Sequence, residues 1–227
     1  MKNQIIDKDV LKINEIFYSI QGESSHAGRP CVFVRLTYCN LRCAYCDTEY
    51  AFYEGRDMTL DEILTAVAAF QCNTVEITGG EPLLQARVHD LMKTLCDRGY
   101  DVLLETGGSL DISKVDPRVF KIVDLKCPSS KMDSKNLYDN VNHLKTHDEV
   151  KFVIGTREDY DWALEVIRKY DLHRKTASVL LSPVFDAIDP AQIVNWMLED
   201  KLQLEIPNIR FQVQMHKVIW APETRGV

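Results

Sequence analysis

The sequence predicts an α/β fold, a partial and open (β/α) barrel built on a parallel sheet of about six or seven strands. Three observations predict it. Short apolar or β-branched runs alternate with helix-like segments along nearly all 227 residues, with no repeat, linker or low-complexity tract. The βα units fall short of the eight that close a barrel. The unusual residues follow the carboxyl ends of the runs, where parallel α/β folds carry their sites.

The elements follow in chain order. Strands are expected at 32–38, 74–78, 101–105, 120–125, 149–154, 178–181 and 210–214. Their composition suits strands buried on both faces. One helix starts at Thr59, with Glu62 three residues later as a capping box before Ile63, Leu64 and Val67. A second follows Pro82, suited to a first helical turn, carries Leu83 through Leu95 on an apolar stripe and stops at Gly99. Two more are expected at 157–170 and 190–201. Consecutive βα units imply right-handed crossovers.

Composition excludes some classes of function. A net charge of −7 argues against a broad nucleic-acid footprint, which needs a basic face. No apolar run reaches the length of a membrane span. Seven cysteines behind an N-terminus without export features fit a reducing, cytoplasmic setting.

Chemistry concentrates in Cys39-Asn40-Leu41-Arg42-Cys43-Ala44-Tyr45-Cys46, just after the first strong strand. Three thiolates spaced C-x3-C-x2-C can each take one iron of a [4Fe-4S] cluster and leave the fourth iron open for chemistry. A structural zinc site is the plainer alternative. It needs a fourth ligand, usually from a second pair, and none has the spacing. Gly79-Gly80-Glu81-Pro82 ends the second strand, where two glycines let backbone approach a ligand closely. By itself this is an ordinary strand-to-helix turn. Glu105 ends the third strand, as a solvated end or as a ligand contact.

Together, the cysteine loop and the Gly-Gly-Glu-Pro turn resemble those of radical S-adenosylmethionine (SAM) enzymes. The resemblance implies the same open barrel, a [4Fe-4S] cluster on Cys39, Cys43 and Cys46, and SAM chelated by the open iron. It implies SAM contacts from Tyr45, from Gly79, Gly80 and Glu81, and from Glu105, Asp124, Leu125, Lys126, Ser182, Pro183, Val184 and Phe185. One-electron cleavage of SAM then yields a radical that takes hydrogen from substrate.

The segment 13–23, the Cys46-Asp47-Thr48 end of the loop, and a tail reading Gln214-Met215-His216-Lys217 to Arg225-Gly226-Val227 narrow the likeness. They are similar to the 7-carboxy-7-deazaguanine synthases, which convert 6-carboxy-5,6,7,8-tetrahydropterin with loss of ammonia, using SAM catalytically. The resemblance spans 1–227 as a single domain, with an N-terminal substrate-binding segment and a tail completing the pocket. It implies pterin contacts from Ile20, Gln21, Gly22, Glu23, Arg35, Thr78, His216 and the Val227 carboxylate, and Mg2+ on Thr48. It also implies a homodimer and an external flavodoxin or ferredoxin type of electron donor. The residues are compatible: Glu23 accepts from ring N–H groups, and Arg35 can pair bidentately with a carboxylate or form a strand-end ion pair. Thr78 is equally a β-branched filler, and Asp47 and Thr48 can simply close the loop. Two departures stand out: Ser24 after Gln21-Gly22-Glu23, and Asp124-Leu125-Lys126 where relatives carry Ser-Pro-Lys. A glycyl-radical activase and a non-enzymatic iron-sulfur or zinc-stabilised module are the alternatives.

Overall fold

The computed structural model describes residues 9–227, so the first eight residues of the expected 1–227 domain lie outside it. Nine strands form one sheet in the order β3-β1-β2-β4-β5-β6-β7-β8-β9. They are β1 (Val10–Ile20), β2 (Pro30–Leu36), β3 (Arg56–Thr59), β4 (Thr74–Gly79), β5 (Asp101–Thr106), β6 (Phe120–Asp124), β7 (Glu149–Ile154), β8 (Ser178–Pro183) and β9 (Ile209–Phe211). The seven expected strands are β2 and β4–β9, all mutually parallel. Two further strands extend the sheet beyond β2: β1, which runs antiparallel to its neighbours β2 and β3, and β3 at the edge. β3 eludes the sequence because it has four residues and one buried side chain, Met58.

Four helices match the expected positions: α1 (Leu60–Ala69), α2 (Val88–Asp97), α3 (Arg157–Tyr170) and, after the short α4 (Leu172–Lys175), α5 (Pro190–Glu199). The Thr59–Glu62 capping box is present in full. The second helix does not run unbroken from Pro82. A 3-10 turn over Pro82–Leu84 ends at Gln85, whose backbone is extended. The Gln85 amide donates to the carbonyls of Lys12 and Thr37 and accepts from the Lys12 N–H, which draws this residue off the helix axis. The β5–β6 crossover has no helix, and β6–β7 has only 3-10 turns.

Strand register separates two faces. Val32, Val34 and Leu36, Val75 and Ile77, Val102 and Leu104, Val123, Val150, Phe152 and Ile154, and Val179 and Leu181 belong to the main core with residues of the helices. The alternate positions in register are Glu15 and Phe17, Phe33 and Arg35, Glu76 and Thr78, Glu105, Asp124, Lys151 and Ser182. The longer helices therefore cover one face only. The inner face is polar and is closed by two chain segments instead. The turn between β1 and β2 lies under the amino ends of the parallel strands. Arg29 there pairs with Asp101 at 3.2 Å, the Ser25 N–H reaches Glu149 at 3.2 Å, and the His26 ring packs edge-on to Phe120. The tail beyond β9 holds α6 (His216–Ile219) and touches the opposite side of the sheet at its far end. Arg225 pairs with Glu54 at 2.8 Å and covers the Tyr50 ring at 3.8 Å, while Gly226 lies over Phe17.

Candidate active site

The loop after β2 carries Cys39, Cys43 and Cys46, all half-buried and unpaired. Its backbone is tied down by Ala44 N–H to the Ser130 carbonyl (3.0 Å) and Cys46 N–H to the Cys43 carbonyl (3.2 Å). Arg42 donates to the Cys39 carbonyl at 2.8 Å and lies 4.1 Å over the Phe52 ring. Tyr45 reaches under the loop to the Val153 carbonyl at 3.5 Å. No three His, Cys, Asp or Glu side chains among the described residues converge on one ion position. A cubane does not ask for that, since it spreads its thiolates over separate irons.

Gly79 and Gly80 are needed by the protein itself. The Gly80 N–H donates to the Leu36 carbonyl (3.2 Å) and the Glu81 N–H to the Tyr38 carbonyl (2.8 Å). A β-carbon on Gly79 would meet Leu36 O at 2.2 Å, and one on Gly80 would meet Tyr38 O at 2.2 Å and Cys39 Cβ at 2.9 Å. The close approach that the sequence suggests for a ligand is here an approach of the cysteine loop. Glu81 is expected at SAM, yet it is fully buried and engaged internally. It accepts from the Gly107 N–H (2.8 Å), the Leu83 N–H (3.1 Å) and the Thr106 hydroxyl (2.9 Å), which locks the carboxyl ends of β4 and β5 together. Leu125 likewise packs its side chain into the core.

On the inner face the Glu23 carboxylate accepts from the Gln214 amide (2.7 Å) and from Lys151 Nζ (2.6 Å), which also bonds Glu105. Asp124 stands 3.7 Å from Lys151 and 2.9 Å from Lys126, with its Oδ1 buried and without a hydrogen-bond partner. Burial opposes the charge on Lys151, but Glu105, Glu23 and Asp124 outweigh it and hold the ammonium protonated. Glu76 lies deeper. Burial first, then Glu105 and Glu23, push its carboxyl well above the ordinary range. Gln21, expected at substrate, is only 3 % exposed; its amide donates to Glu76 and accepts from the Glu23 N–H (2.8 Å), so it orients the turn. Ile20 precedes it, half-buried at the end of β1.

Arg35 lies beside Thr78 across the β2–β4 pairing. Its Nε pairs with Glu15 at 2.7 Å, and the Tyr50 hydroxyl donates to the same Glu15 oxygen at 3.1 Å. The strand ion pair is thus present, and it occupies only one edge of the guanidinium. His216 opens α6, beyond the strand expected at 210–214. That strand stops at Phe211, because Gln212 accepts from the Ser24 N–H (2.7 Å) and Gln214 turns to Glu23. The His216 ring fits against Gly22, where a β-carbon would meet Nδ1 at 2.4 Å. Burial lowers the His216 imidazole below its ordinary value and keeps the ring neutral. Thr48 sits beside the loop, its hydroxyl 3.9 Å from Cys46 Sγ and 3.3 Å from Asp47. Val227 is half-buried. Pro183, Val184 and Phe185 line a cavity of about 430 Å³ with Val213, Gln214 and Val218, while Ser182 is buried on the strand before it.

The site residues thus reach the sheet from both ends. The sequence puts the cysteine loop, the Gly79–Pro82 turn, Glu105, Asp124 and Ser182 at the carboxyl ends, whereas Gln21, Gly22 and Glu23, an N-terminal segment whose end of the sheet it leaves open, rise from the turn below. Sequence reasoning also passes over Lys151 and Glu76. The available signal was a charged residue inside an apolar strand, since burying a charge is costly unless it is paired.

The model of the radical SAM superfamily matches residues 34–197. The 7-carboxy-7-deazaguanine synthase of Koribacter versatilis (strain Ellin345) is 47 % identical over 96 % of this chain and 100 % of its own length. The enzyme of that name from Chlorobaculum tepidum is also 47 % identical, over 96 % of this chain and 97 % of its own. The crystal structure of QueE from Escherichia coli superposes with a TM-score of 0.75 at 21 % identity, covering 91 % of this chain and 95 % of that one, which supports the fold.

Proposed function

The chain belongs to the radical SAM superfamily and within it to the 7-carboxy-7-deazaguanine synthases, and from that premise we propose that it converts 6-carboxy-5,6,7,8-tetrahydropterin into 7-carboxy-7-deazaguanine with release of ammonia. The observation that carries this reading is the near-full-length identity to synthases of that name. Membership brings a [4Fe-4S] cluster and SAM as cofactors.

The residues fit both groups. Three unpaired thiols on one anchored loop provide a cluster donor set with one iron left open, and the unpartnered Asp124 Oδ1 provides a buried acceptor for a cationic cofactor. Cys39, Cys43 and Cys46 hold the cluster. Gly79, Gly80, Glu105, Asp124, Lys126 and the stretch from Ser182 to Phe185 face SAM, with Tyr45 under the loop. When bound, these groups supply the electron and the hydrogen-abstracting fragment. The chain's own residues bind, orient and enclose the substrate. The free edge of Arg35 pairs with the pterin carboxylate. Glu23 accepts from ring N–H groups, and neutral His216 adds a polar contact from the tail. Gln21 holds Glu23 in place. Ile20, Gly22, Thr78 and the Val227 carboxylate complete the wall. Thr48 offers its hydroxyl to Mg2+, which takes few protein ligands and shares substrate oxygens.

A single domain, a homodimer and an external flavodoxin or ferredoxin type of donor complete the reading. Seven unpaired cysteines support a reducing, cytoplasmic setting, and among the described residues no helix is long and apolar enough to cross a membrane. The test is anaerobic turnover of the reconstituted protein with SAM, Mg2+, a strong reductant and the pterin, followed by mass spectrometry. Many product molecules per SAM are expected. 5′-Deoxyadenosine without 7-carboxy-7-deazaguanine would discard the substrate assignment.

A further inference from the structure

Lys151 lies mid-strand in β7, on the inner face, with its side chain 6 % exposed. Its ammonium meets three carboxylates from three separate segments: Glu23 of the lower turn at 2.6 Å, Glu105 of β5 in direct contact, and Asp124 of β6 at 3.7 Å. Glu23 belongs to the pterin side of the site, while Glu105 and Asp124 also serve the SAM side. Two of the three N–H groups are taken by Glu23 and Glu105. Asp124 is beyond hydrogen-bond range of Lys151; its Oδ2 accepts from Lys126 at 2.9 Å, and its Oδ1 is unpartnered. One cation cannot hold all three carboxylates at full strength, and movement towards one weakens its grip on another.

We propose that Lys151 is a positioning residue that couples the two half-sites, so that occupancy of one tightens binding at the other. The inference rests on the functional reading above. A pterin N–H donated to Glu23 takes over part of what Lys151 supplies there. The ammonium then settles on Glu105 and Asp124 and fixes them for SAM. Linkage makes the effect reciprocal.

The test uses the full chain with its cluster reconstituted under anaerobic conditions. The dissociation constant of SAM is measured with and without 6-carboxy-5,6,7,8-tetrahydropterin, before any reductant is added. In the unaltered protein the pterin is expected to tighten SAM by roughly tenfold. In Lys151→Gln the factor falls to about one. Should that variant fail to fold, Lys151→Arg decides. Its planar fork keeps the charge but reaches Glu23 and Glu105 through different nitrogens, and the factor drops to about threefold or less. The inference is overturned by a coupling factor unchanged in either variant, or by an unaltered protein that makes product yet shows no coupling. An unaltered protein that forms no product overturns the functional reading instead, so the two failures are distinct.

Discussion

Replacing Gly80 by alanine asks whether the cluster loop depends on the strand turn beneath it. A β-carbon there would stand 2.2 Å from the Tyr38 carbonyl oxygen and 2.9 Å from Cys39 Cβ. Non-bonded carbon atoms rest at about 3.5 Å or more, so the loop has to retreat by roughly 1 Å. Gly80 is not in a left-handed conformation, so the clash and not dihedral strain sets the cost. Overpacking of this kind costs about 1–3 kcal/mol. A displacement of about 1 Å at a reacting centre lowers turnover by around a hundredfold. Gly99→Ala is the control. Gly99 has φ of +85° just beyond α2 with no atom near its missing side chain, so alanine costs about 1–2 kcal/mol through strain alone. Both variants are reconstituted and compared by iron content, by the electron paramagnetic resonance spectrum of the reduced protein without SAM, and by turnover. Gly80→Ala is expected to hold less iron or give an altered spectrum, and to lose turnover. Gly99→Ala keeps both at a comparable loss of melting temperature. Full iron and an unchanged SAM-free spectrum in Gly80→Ala, with only SAM affinity weakened, would refute the reasoning; the glycine would then serve the ligand's approach alone.

Arg35→Lys keeps the charge but loses the planar fork, so KM for the pterin should rise roughly ten- to a hundredfold, with substrate-free SAM cleavage unchanged; an unmoved KM would place the carboxylate elsewhere. Lys121→Met leaves the buried Asp148 carboxylate without its ammonium, 2.8 Å away, at the amino ends of β6 and β7. Urea unfolding should reveal a loss of about 3–5 kcal/mol, and turnover of the folded fraction should stand. Burial raises the Asp47 carboxyl, but Lys217 at 2.6 Å outweighs it and brings it down to about 2. A depressed carboxylate stabilises above its ordinary value and loses that effect as pH falls through the folded one. The melting-temperature gap between the unaltered protein and Lys217→Met should therefore be constant above about pH 5 and close between about pH 4 and pH 2. A gap that persists through that window would count against the pair. Thr48→Ala should abolish the stimulation of turnover by Mg2+, and an undiminished metal response would remove Thr48 as the ligand.

What the sequence discloses and what it withholds divide along physical lines. The parallel strands are legible because Val32, Val75, Val102, Val123, Val150 and Val179 sit in short apolar runs that only a core explains. The capping box at Thr59 is a local contract between residues three apart, and it holds. Gln85 breaks a helix that its own neighbours favour because its partners, Lys12 and Thr37, are 73 and 48 residues away. The same distance hides the inner face. Lys151 finds Glu23 across 128 residues and Glu105 across 46, and no local pattern announces either pairing. The lower turn carries a recognisable motif, yet its motif does not tell at which end of the sheet it sits. That follows only from β1 running antiparallel to β2.

The tail's reach from β9 across to Tyr50 and Phe17 has a consequence for how the protein comes to be made. Cys46 leaves the ribosome about 180 residues ahead of Val227, a delay of roughly ten to forty seconds at ordinary rates of synthesis. During that interval the cysteine loop exists, but Glu23 lacks Gln214, Gly22 lacks His216, and the side facing Phe17 is bare. These contacts to the β1–β2 turn therefore form only after β9 has been made. A chain cut short near β9 would keep its three thiols and its sheet but leave Glu23 and Gly22 without Gln214 and His216, so premature termination is more damaging here than the small size of the missing piece suggests.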